Sequence, residues 1–395
     1  ISFTSVGHTI TSISVQFSEA RPRNKKTVPS LQWVCCVDLS LLSLGSRRQT
    51  RRIMLSASAS FSVVVALLAT AGGLQVSAAS VEVVDSLTFL AIGDWGGSGH
   101  EPYTTPAEKS VANQMGKLAS AINSNFTLAL GDNFYTEGVK NVDDPRFKET
   151  FEDVYTASSL MSRWYVLAGN HDHYGNATAQ VAYTKRSKRW YFPELYYSET
   201  LAIPGGATVQ IVMIDTVLLA GLSHPVHRSL PPVPLEDQSL ADQQLQWLEQ
   251  TLSQSQATWL YVCGHYPVWS IAEHGPTQYL VDNVRPLLEK YKVTAYVNGH
   301  DHNMQHIHPH SQDVDYFVTG AGHLIDDSTA HKDSVPKDSV LFHYGPSDHL
   351  SSKGGFTSFE LTASKATVTF YDYTGKVVYT TSNTSPRKEA SDRNK

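Results

Sequence analysis

The sequence predicts an α/β (α+β) fold, because short apolar runs alternate with stretches that have a helical hydrophobic period. The apolar runs are rich in β-branched and aromatic side chains, which favours buried strands over helices. They are Leu87–Ile92, Phe126–Leu130, Trp164–Ala168, Val209–Ile214, Trp259–Cys263 and Val293–Val297. The stretches between them place apolar residues on one helical face. These residues are Val111, Met115, Leu118 and Ile122, then Leu245, Leu248 and Leu252, and later Val284, Leu288 and Tyr291.

Further strands predict a β-meander in the C-terminal part of the chain. They are Tyr316–Thr319, Phe356–Leu361, Thr367–Tyr373 and Val377–Thr381. A single mixed sheet, or a sandwich of two mixed sheets flanked by helices, accommodates both halves of the pattern. No internal repeat or linker interrupts residues 80–381, so we expect one domain there, followed by a polar, flexible tail over 382–395.

The N-terminal residues differ in charge from the rest of the chain. Residues 1–79 carry 8 of the 31 basic residues and 2 of the 37 acidic ones, so the remainder has a net charge of −12. An acidic body of this kind argues against nucleic acid as a partner.

A secretory signal peptide is predicted over residues 54–79. It begins at Met54, contains the apolar run Phe61–Ala69, which is too short to span a membrane, and ends in small residues at Ala78 and Ala79. Residues 1–53 would then be an upstream extension outside the mature protein. We therefore expect the secretory pathway, with a lysosomal or secreted product and no stable membrane anchor. A buried core helix is the alternative interpretation of this run.

Cysteine usage and one sequon add to this picture. Of the three cysteines, only Cys263 lies beyond the predicted signal, so we expect no internal disulfide and a buried, inert thiol. Asn176-Ala177-Thr178 is the best-placed glycosylation sequon, on a loop that contains glycine. Four prolines in the segment 221–240 exclude regular structure across most of it, and such insertions are often functional.

Five short blocks bring metal-ligand residue types to the ends of the predicted strands. They are Gly93-Asp94-Trp95-Gly96, Gly131-Asp132-Asn133-Phe134-Tyr135, Gly169-Asn170-His171-Asp172, Gly264-His265-Tyr266 and Gly299-His300-Asp301-His302. Each block taken singly is compatible with a helix cap, a turn or a packed aromatic residue. Together they supply oxygen and nitrogen ligands for two cations that share one carboxylate, which is suited to phosphoryl or acyl hydrolysis.

These blocks resemble the metal-binding motifs of the calcineurin-like metallophosphoesterases, and specifically of the purple acid phosphatases. Many members of that superfamily carry a histidine two residues after the first aspartate, where this chain has Gly96. The purple enzymes instead use a tyrosine three residues after the bridging aspartate, and here Tyr135 follows Asp132 at that spacing. Longer runs, Gly264–Pro276, Gly299–Asn303 and Phe342–Gly345, are similar to the animal tartrate-resistant type. The resemblance covers about residues 85–381 and implies a β-sandwich of two mixed sheets flanked by helices.

The resemblance also implies a ligand set for two metal ions. One Fe(III) would be held by Asp94, Asp132, Tyr135 and His302. The second ion, Fe(II) or Zn(II), would be held by Asp132, Asn170, His265 and His300. Carboxylate and phenolate oxygens suit a hard trivalent iron, whereas imidazoles and an amide suit the divalent ion, which agrees with this division.

The implied activity is that of an acid phosphatase, which hydrolyses phosphate monoesters by attack of a metal-bound hydroxide. His171 and His274 resemble the family's histidines that orient phosphate and protonate the leaving group, and Glu273 is placed to share that proton. An imidazolium acid works best below the ordinary imidazole pKa of about 6.5, which is consistent with an acidic optimum. We expect a phosphomonoester or phosphoprotein substrate and a monomer whose segment 221–240 is open to proteolysis.

Other functions and several departures from the family pattern remain open. A phosphodiesterase or nucleotidase would share the metals, and a binding protein without turnover would be expected to lack His171 or His274. The family's disulfide is missing, because Ala220 and Tyr279 stand at its positions, and this puts the rigidity of the His274 segment in doubt. His323 stands where asparagine is expected. His306, His308 and His310 alternate, for which a solvated strand face is favoured over an extra metal site.

Overall fold

The protein, described here from a computed structural model, divides into two units at residues 1–84 and 85–395. The structure describes residues 86–223, 233, 237–345, 353–382 and 384–387, together with the backbone of six strands in the first unit. Those six are β1 Thr4–Ser5, β2 His8–Ala20, β3 Gln32–Ser43, β4 Ser46–Ser58, β5 Leu68–Thr70 and β6 Gly73–Gln75. The first four form one antiparallel sheet, and the last two form a hairpin.

The predicted signal segment lies mostly outside the described residues. Residues 59–67 and the predicted cleavage site are among those not described. The signal peptide and the upstream extension therefore stay predictions. None of the helices that the structure describes combines the length and the apolar character that a membrane span requires.

The second unit contains two seven-stranded mixed sheets. In the first sheet the order is β10-β9-β8-β7-β18-β19-β20. Its strands are β7 Leu87–Ile92, β8 Phe126–Leu130, β9 Arg163–Leu167, β10 Trp190–Tyr191, β18 Gly355–Leu361, β19 Ala366–Asp372 and β20 Val377–Thr381. The four strands from β7 to β10 run parallel, whereas β18 joins β7 antiparallel and begins a meander.

In the second sheet the order is β11-β12-β13-β14-β16-β15-β17. Its strands are β11 Tyr197–Ala202, β12 Thr208–Met213, β13 Trp259–Cys263, β14 Ala295–Asn298, β15 Met304–Ile307, β16 Asp315–Thr319 and β17 Val340–Tyr344. The strands β12, β13, β14 and β16 are parallel. The predicted meander is thus partly wrong, because β16 pairs with β14 in this sheet and only the last three strands form a meander.

In the part of the chain that the structure describes, six α-helices accompany the sheets. They are α1 Pro106–Ile122, α2 Asn170–Tyr174, α3 Ala177–Tyr183, α4 Thr216–Ala220, α5 Gln238–Gln254 and α6 Arg285–Lys290. Short π-helical turns occur at Phe147–Glu152 and Leu280–Val284, and 3₁₀ turns at Ser158–Leu160 and Lys332–Ser334. Helix α1 begins with a capping box, in which Thr105 and Glu108 satisfy each other's backbone N–H groups, and Pro106 occupies its first turn.

The apolar residues form two buried clusters. The larger contains the inner faces of both sheets, including Phe89, Phe317 and Phe359, whose rings pack against one another. The smaller lies on the other face of the second sheet, where α5 contributes Leu248 and Leu252. Two mixed sheets packed face to face and flanked by helices confirm the predicted fold class.

Candidate metal centre

The ligand candidates all follow strands whose carboxyl ends meet at one edge of the sandwich. Asp94, Asp132 and Asn170 come after β7, β8 and β9 of the first sheet. His265 comes after β13, and the block containing His300 and His302 after β14, of the second sheet. Since parallel strands deliver their carboxyl ends to the same edge, residues that are far apart in sequence come together here.

A pair of glycines allows the two sheets to approach at this edge. Gly93 and Gly299 precede ligand candidates on β7 and β14, and a Cβ atom on Gly93 would lie 2.9 Å from Gly299 Cα. The Asp94 carboxylate then accepts a hydrogen bond of 2.7 Å from the backbone N–H of His300. This bond joins the two halves of the site directly.

Three of the site residues have left-handed backbone conformations. The φ angles are 56° at Asp94, 49° at Asp132 and 70° at His300. Aspartate tolerates this region better than most residues, but for histidine it carries a conformational cost. Strain of this kind is characteristic of functional sites, where the surrounding structure holds a residue in place.

The side chains fall into two adjacent groups. In the first, Tyr135 Oη lies 3.0 Å from Asp94 Oδ1 and 3.1 Å from His302 Nε2, and His302 Nε2 lies 3.4 Å from Asp94 Oδ1. Asp132 completes this group, in which the carboxylate and imidazole atoms of Asp94, Asp132 and His302 are within 4.8 Å of one another. All of these residues except His302 are buried.

In the second group, His265 Nε2 lies 3.1 Å from Asn170 Oδ1, 3.2 Å from His300 Nδ1 and 3.4 Å from Asp132 Oδ1. The other ring nitrogen of His265 donates to the Leu130 carbonyl at 2.8 Å, so Nε2 is the atom that faces the cluster. Fixing one ring nitrogen on a carbonyl is how proteins orient metal-binding histidines. Asp132 belongs to both groups.

The electrostatics show that this cluster requires positive charge. Burial, together with the Asp132 carboxylate and against the opposing effect of His265, raises the pKa of Asp94 to about 8. Burial lowers the pKa of His265, but the Asp132 and Asp94 carboxylates and the hydrogen bonds of the ring together raise it to about 9. In the described part of the chain, the ion pairs of Asp94 and Asp132 are with histidines. A cation between the carboxylates would relieve this repulsion, so the donor set fits metal ions.

Gly96 explains how a tyrosine comes to stand in the first group. A Cβ atom on Gly96 would lie 2.5 Å from Phe134 N and 2.7 Å from Asp132 O. Gly96 N donates to Asp132 O at 3.0 Å, and Gly96 O accepts from Tyr135 N at 3.1 Å. The absence of a side chain at position 96 therefore lets the Asp132–Tyr135 loop lie close enough for the phenol to reach Asp94.

The predicted acid-base residues both lie next to the cluster. The His171 ring packs edge-on against Tyr135 at 4.6 Å between centroids, and its backbone N–H donates to Asp132 Oδ1 at 3.0 Å. The His274 ring stacks on the His300 ring at 4.1 Å. Glu273 is half-buried on the same loop as His274. Both histidines are thus adjacent to different ligand groups.

Some residues of the site were missed by the sequence reasoning. Asp172 is fully buried and accepts hydrogen bonds from Gly169 N at 2.8 Å and Asn133 N at 3.1 Å, which fixes the turn that carries Asn170. Burial raises the pKa of Asp172 to about 6. Its position inside the third block was the signal that could have identified it.

His323, which the sequence showed as a departure from the family pattern but did not place at the site, packs against Tyr135. Its Nδ1 lies 2.6 Å from the Asp94 carbonyl oxygen, and its ring lies 4.4 Å from the Tyr135 ring. Burial lowers the pKa of His323 to about 3, which favours a neutral imidazole. The substitution of asparagine by histidine therefore falls in contact with ligand candidates.

Three further predictions concern residues outside the cluster. Cys263 is a buried free thiol whose pKa is raised by burial, as predicted. Asn176 is exposed and caps α3 by accepting from Ala179 N. The expected solvated face is wrong for His306, which is buried and whose ring nitrogens lie 2.8 Å from Asp315 Oδ1 and 2.9 Å from the Tyr379 hydroxyl. Thr384 donates to the same Asp315 carboxylate.

The loop 221–240 is described only at its two ends and at Val233. Leu222 pairs with Val233 in an isolated bridge, and the Ser223 carbonyl accepts a hydrogen bond from the Tyr174 hydroxyl. The other residues between 224 and 236 lie outside the described residues. The predicted role of this loop stays a prediction.

This fold, with a cluster of seven ligand candidates, six of them buried, at the carboxyl ends of its strands, defines a metal-dependent hydrolase. The sequence profile of the calcineurin-like phosphoesterases matches residues 87–304. Tartrate-resistant acid phosphatase type 5 of Oryctolagus cuniculus is 47% identical over 298 residues, which cover 75% of this chain and 90% of the relative. Purple acid phosphatase 7 of Arabidopsis thaliana is 33% identical over 309 residues, covering 75% and 86%.

Among solved structures, GAP50, described as the anchor in the inner membrane complex of Plasmodium, shares the fold with a TM-score of 0.64 and 23% identity, covering 77% of this chain and 90% of that chain. The chain belongs to the calcineurin-like phosphoesterases, and within them to the purple acid phosphatases of the tartrate-resistant type. It is an acid phosphatase that hydrolyses phosphate monoesters. The predicted family and enzyme class are confirmed.

Proposed function

We propose that the phosphatase reaction takes place at a binuclear centre formed by the two ligand groups. Asp94, Tyr135 and His302 would hold Fe(III), and Asn170, His265 and His300 would hold Fe(II) or Zn(II), with Asp132 bridging both ions. The observation that supports this most directly is that Asp132 belongs to both groups of mutually close donor atoms. Oxygen donors dominate the first group and imidazoles the second, which matches the preferences of a hard trivalent and a borderline divalent ion.

Charge balance supports the binding of a phosphate monoester at this centre. When bound, the two cations polarise the phosphoryl oxygens and activate the attacking water. Three anionic ligands against a trivalent and a divalent ion leave a formal charge of about +2 at the site. That charge attracts a phosphate dianion even though the body of the protein is acidic.

The chain's own residues would position the substrate and supply the proton. His171 and His274 lie beside different ligand groups and would hold the phosphate oxygens. His274 would protonate the leaving alkoxide, with Glu273 on the same loop sharing that proton. An imidazolium donor requires acidic conditions, which agrees with the activity of the family.

The remaining parts of the proposal concern the protein's surroundings. We infer a secretory-pathway product, lysosomal or secreted, glycosylated at Asn176 and monomeric, with no stable membrane anchor. The exposed position of Asn176 supports modification there. Proteolysis in segment 221–240 is part of the same proposal. The substrate of the phosphatase would be a phosphomonoester or a phosphoprotein.

One purified sample tests the metal assignment. The secreted protein should contain two metal ions per chain with at least one iron, absorb visible light, and hydrolyse phosphomonoesters faster at acidic than at alkaline pH. A colourless protein with two zinc ions would contradict the ferric assignment. Preference for a phosphodiester or a nucleotide over simple monoesters would favour the phosphodiesterase or nucleotidase alternative.

A further inference from the structure

The loop that carries His274 is fastened to the block that supplies His300 and His302. The backbone N–H of His274 donates to Asp301 Oδ1 at 2.9 Å. Three residues earlier, the N–H of Ile271 donates to the side-chain oxygen of Gln305 at 3.0 Å. These bonds reach from the His274 loop into the segment that runs from the metal ligands into β15.

Gln305 is the central residue of this hydrogen-bond network. It is completely buried, and its amide nitrogen donates to Ser270 Oγ at 2.7 Å and to Asn303 Oδ1 at 2.8 Å. One buried amide thus binds both ends of the dipeptide Ser270-Ile271 and the residue directly after His302. A displaced loop would leave the buried Gln305 amide without hydrogen-bond partners, which costs free energy. The observed position of the loop is therefore strongly favoured.

His331 binds carbonyl groups of the same loop. The His331 N–H donates to the Ile271 carbonyl at 3.0 Å, and its Nδ1 lies 2.7 Å from the Ala272 carbonyl. The segment Ser270–His274 is therefore held by hydrogen bonds to both its N–H and its carbonyl groups. The missing disulfide put the rigidity of this segment in doubt. These hydrogen bonds hold the loop where Ala220 and Tyr279 provide no bridge.

We propose that Gln305 is a positioning residue that holds the proton donor His274 at a fixed distance from the metal cluster. The inference rests on the proposed function, in which His274 protonates the leaving group. Gln305 lies only three residues after His302, so the donor and a metal ligand are held by the same short, buried segment. Proton transfer depends steeply on donor position, so a small shift of the loop slows a step that requires an acid.

The test compares two substrates that differ in their need for an acid. A p-nitrophenyl phosphate releases a weakly basic anion, whereas an alkyl phosphate releases a strongly basic one that must be protonated. In Gln305→Leu, we expect kcat for the alkyl phosphate to fall about 10-fold or more and kcat for p-nitrophenyl phosphate to change less than about 3-fold. Metal content and the visible spectrum should match those of the wild type.

Matched variants separate positioning from general damage. Gln244 is also completely buried and also bridges backbone groups, with bonds of 2.7 and 2.9 Å to Asp215 N and O. Gln244→Leu should cost comparable stability without changing the ratio of the two rates. Ser270→Ala removes one partner of Gln305 with little change of volume, so it should show the same substrate effect in weaker form even where Gln305→Leu folds poorly.

Two outcomes overturn different statements. If His274→Asn slows both substrates equally, His274 is not the proton donor and that part of the proposed function is wrong. If His274→Asn slows the alkyl phosphate selectively but Gln305→Leu and Ser270→Ala do not, the donor assignment stands and the positioning role of Gln305 is overturned. Selective slowing in all three variants supports the inference.

Discussion

The replacement of Gly96 by alanine should damage the metal centre although position 96 carries no ligand. The new Cβ would lie 2.5 Å from Phe134 N, against an ordinary contact of at least 3.4 Å, so the neighbouring backbone must retreat by about 0.9 Å. The atoms in the way belong to the backbone of the Asp132–Tyr135 loop. They cannot swing aside as a flexible side chain would.

The size of the effect follows from what that loop carries. Overpacking of this kind costs about 1–3 kcal/mol of stability. A displacement near 1 Å would separate the Tyr135 hydroxyl from Asp94 and His302, to which it now lies at 3.0 and 3.1 Å. Because misplacement on this scale costs about 100-fold in rate, we expect kcat to fall by about that factor and iron content to fall with it.

The assay is metal content, visible absorbance and kcat of Gly96→Ala beside Gly99→Ala. Gly99 lies on the same loop as Gly96, but a Cβ atom there would lie 3.1 Å from the Thr136 side chain, so that neighbour need move by only a few tenths of an ångström. Gly99→Ala should retain most iron and activity. If Gly96→Ala binds iron with normal absorbance and turns over normally, then close approach at Gly96 does not determine the position of Tyr135.

Three further predictions concern colour, metal removal and pH. Tyr135→Phe should abolish the visible absorption band while the second ion remains bound; an unchanged band would exclude the phenol as a ligand. Removal of the metals should lower the Tm by about 5–10 °C, because the buried carboxylates lose their counter-charge; an equal Tm for the metal-free protein would argue against binding at this cluster. His308 donates to Asp315, which raises the pKa of His308, so its contribution to stability is present at pH 5.5 and lost as pH rises through the folded-state pKa. His308→Gln should therefore lower the Tm more at pH 5.5 than at pH 8.5, whereas the exposed His310→Gln should show no such difference.

Local sequence patterns were sufficient for most of the strands that build the site. β7, β8 and β13 are found at their predicted residues, and the others that precede a ligand block differ by one or two residues at their ends. Short, fully buried strands are recognisable because their composition is apolar throughout. Strand pairing was less predictable than strand position. The sequence assigned β16 to the meander, but hydrogen bonds to β14 place it in the other sheet.

Burial caused by distant segments was invisible in the sequence. His306 looked like one of three alternating surface histidines, yet it is buried and bonds to Tyr379 of β20 and to Asp315, which in turn accepts from Thr384. Thr384 and Arg387 lie within the range predicted to be a flexible tail. Thr384 forms a hydrogen bond with Asp315 of β16, and Arg387 forms hydrogen bonds with the residues just before β13. Residues 383 and 388–395 of that range lie outside the described residues, and the tail as a whole stays a prediction.

The sequence by itself determined the family to which the chain belongs, and it predicted the ligand candidates, their order along the chain and, through the resemblance, their division into two sets. It could do so because Gly-Asp and Gly-His turns at strand ends are local features with a specific spacing. Only the tertiary structure decided how closely these candidates approach one another around Asp132, why Gly96 accompanies Tyr135, and which hydrogen bonds hold the loop of His274. Each of these depends on backbone segments from different strands approaching within hydrogen-bond distance, and contacts of that kind are created by folding.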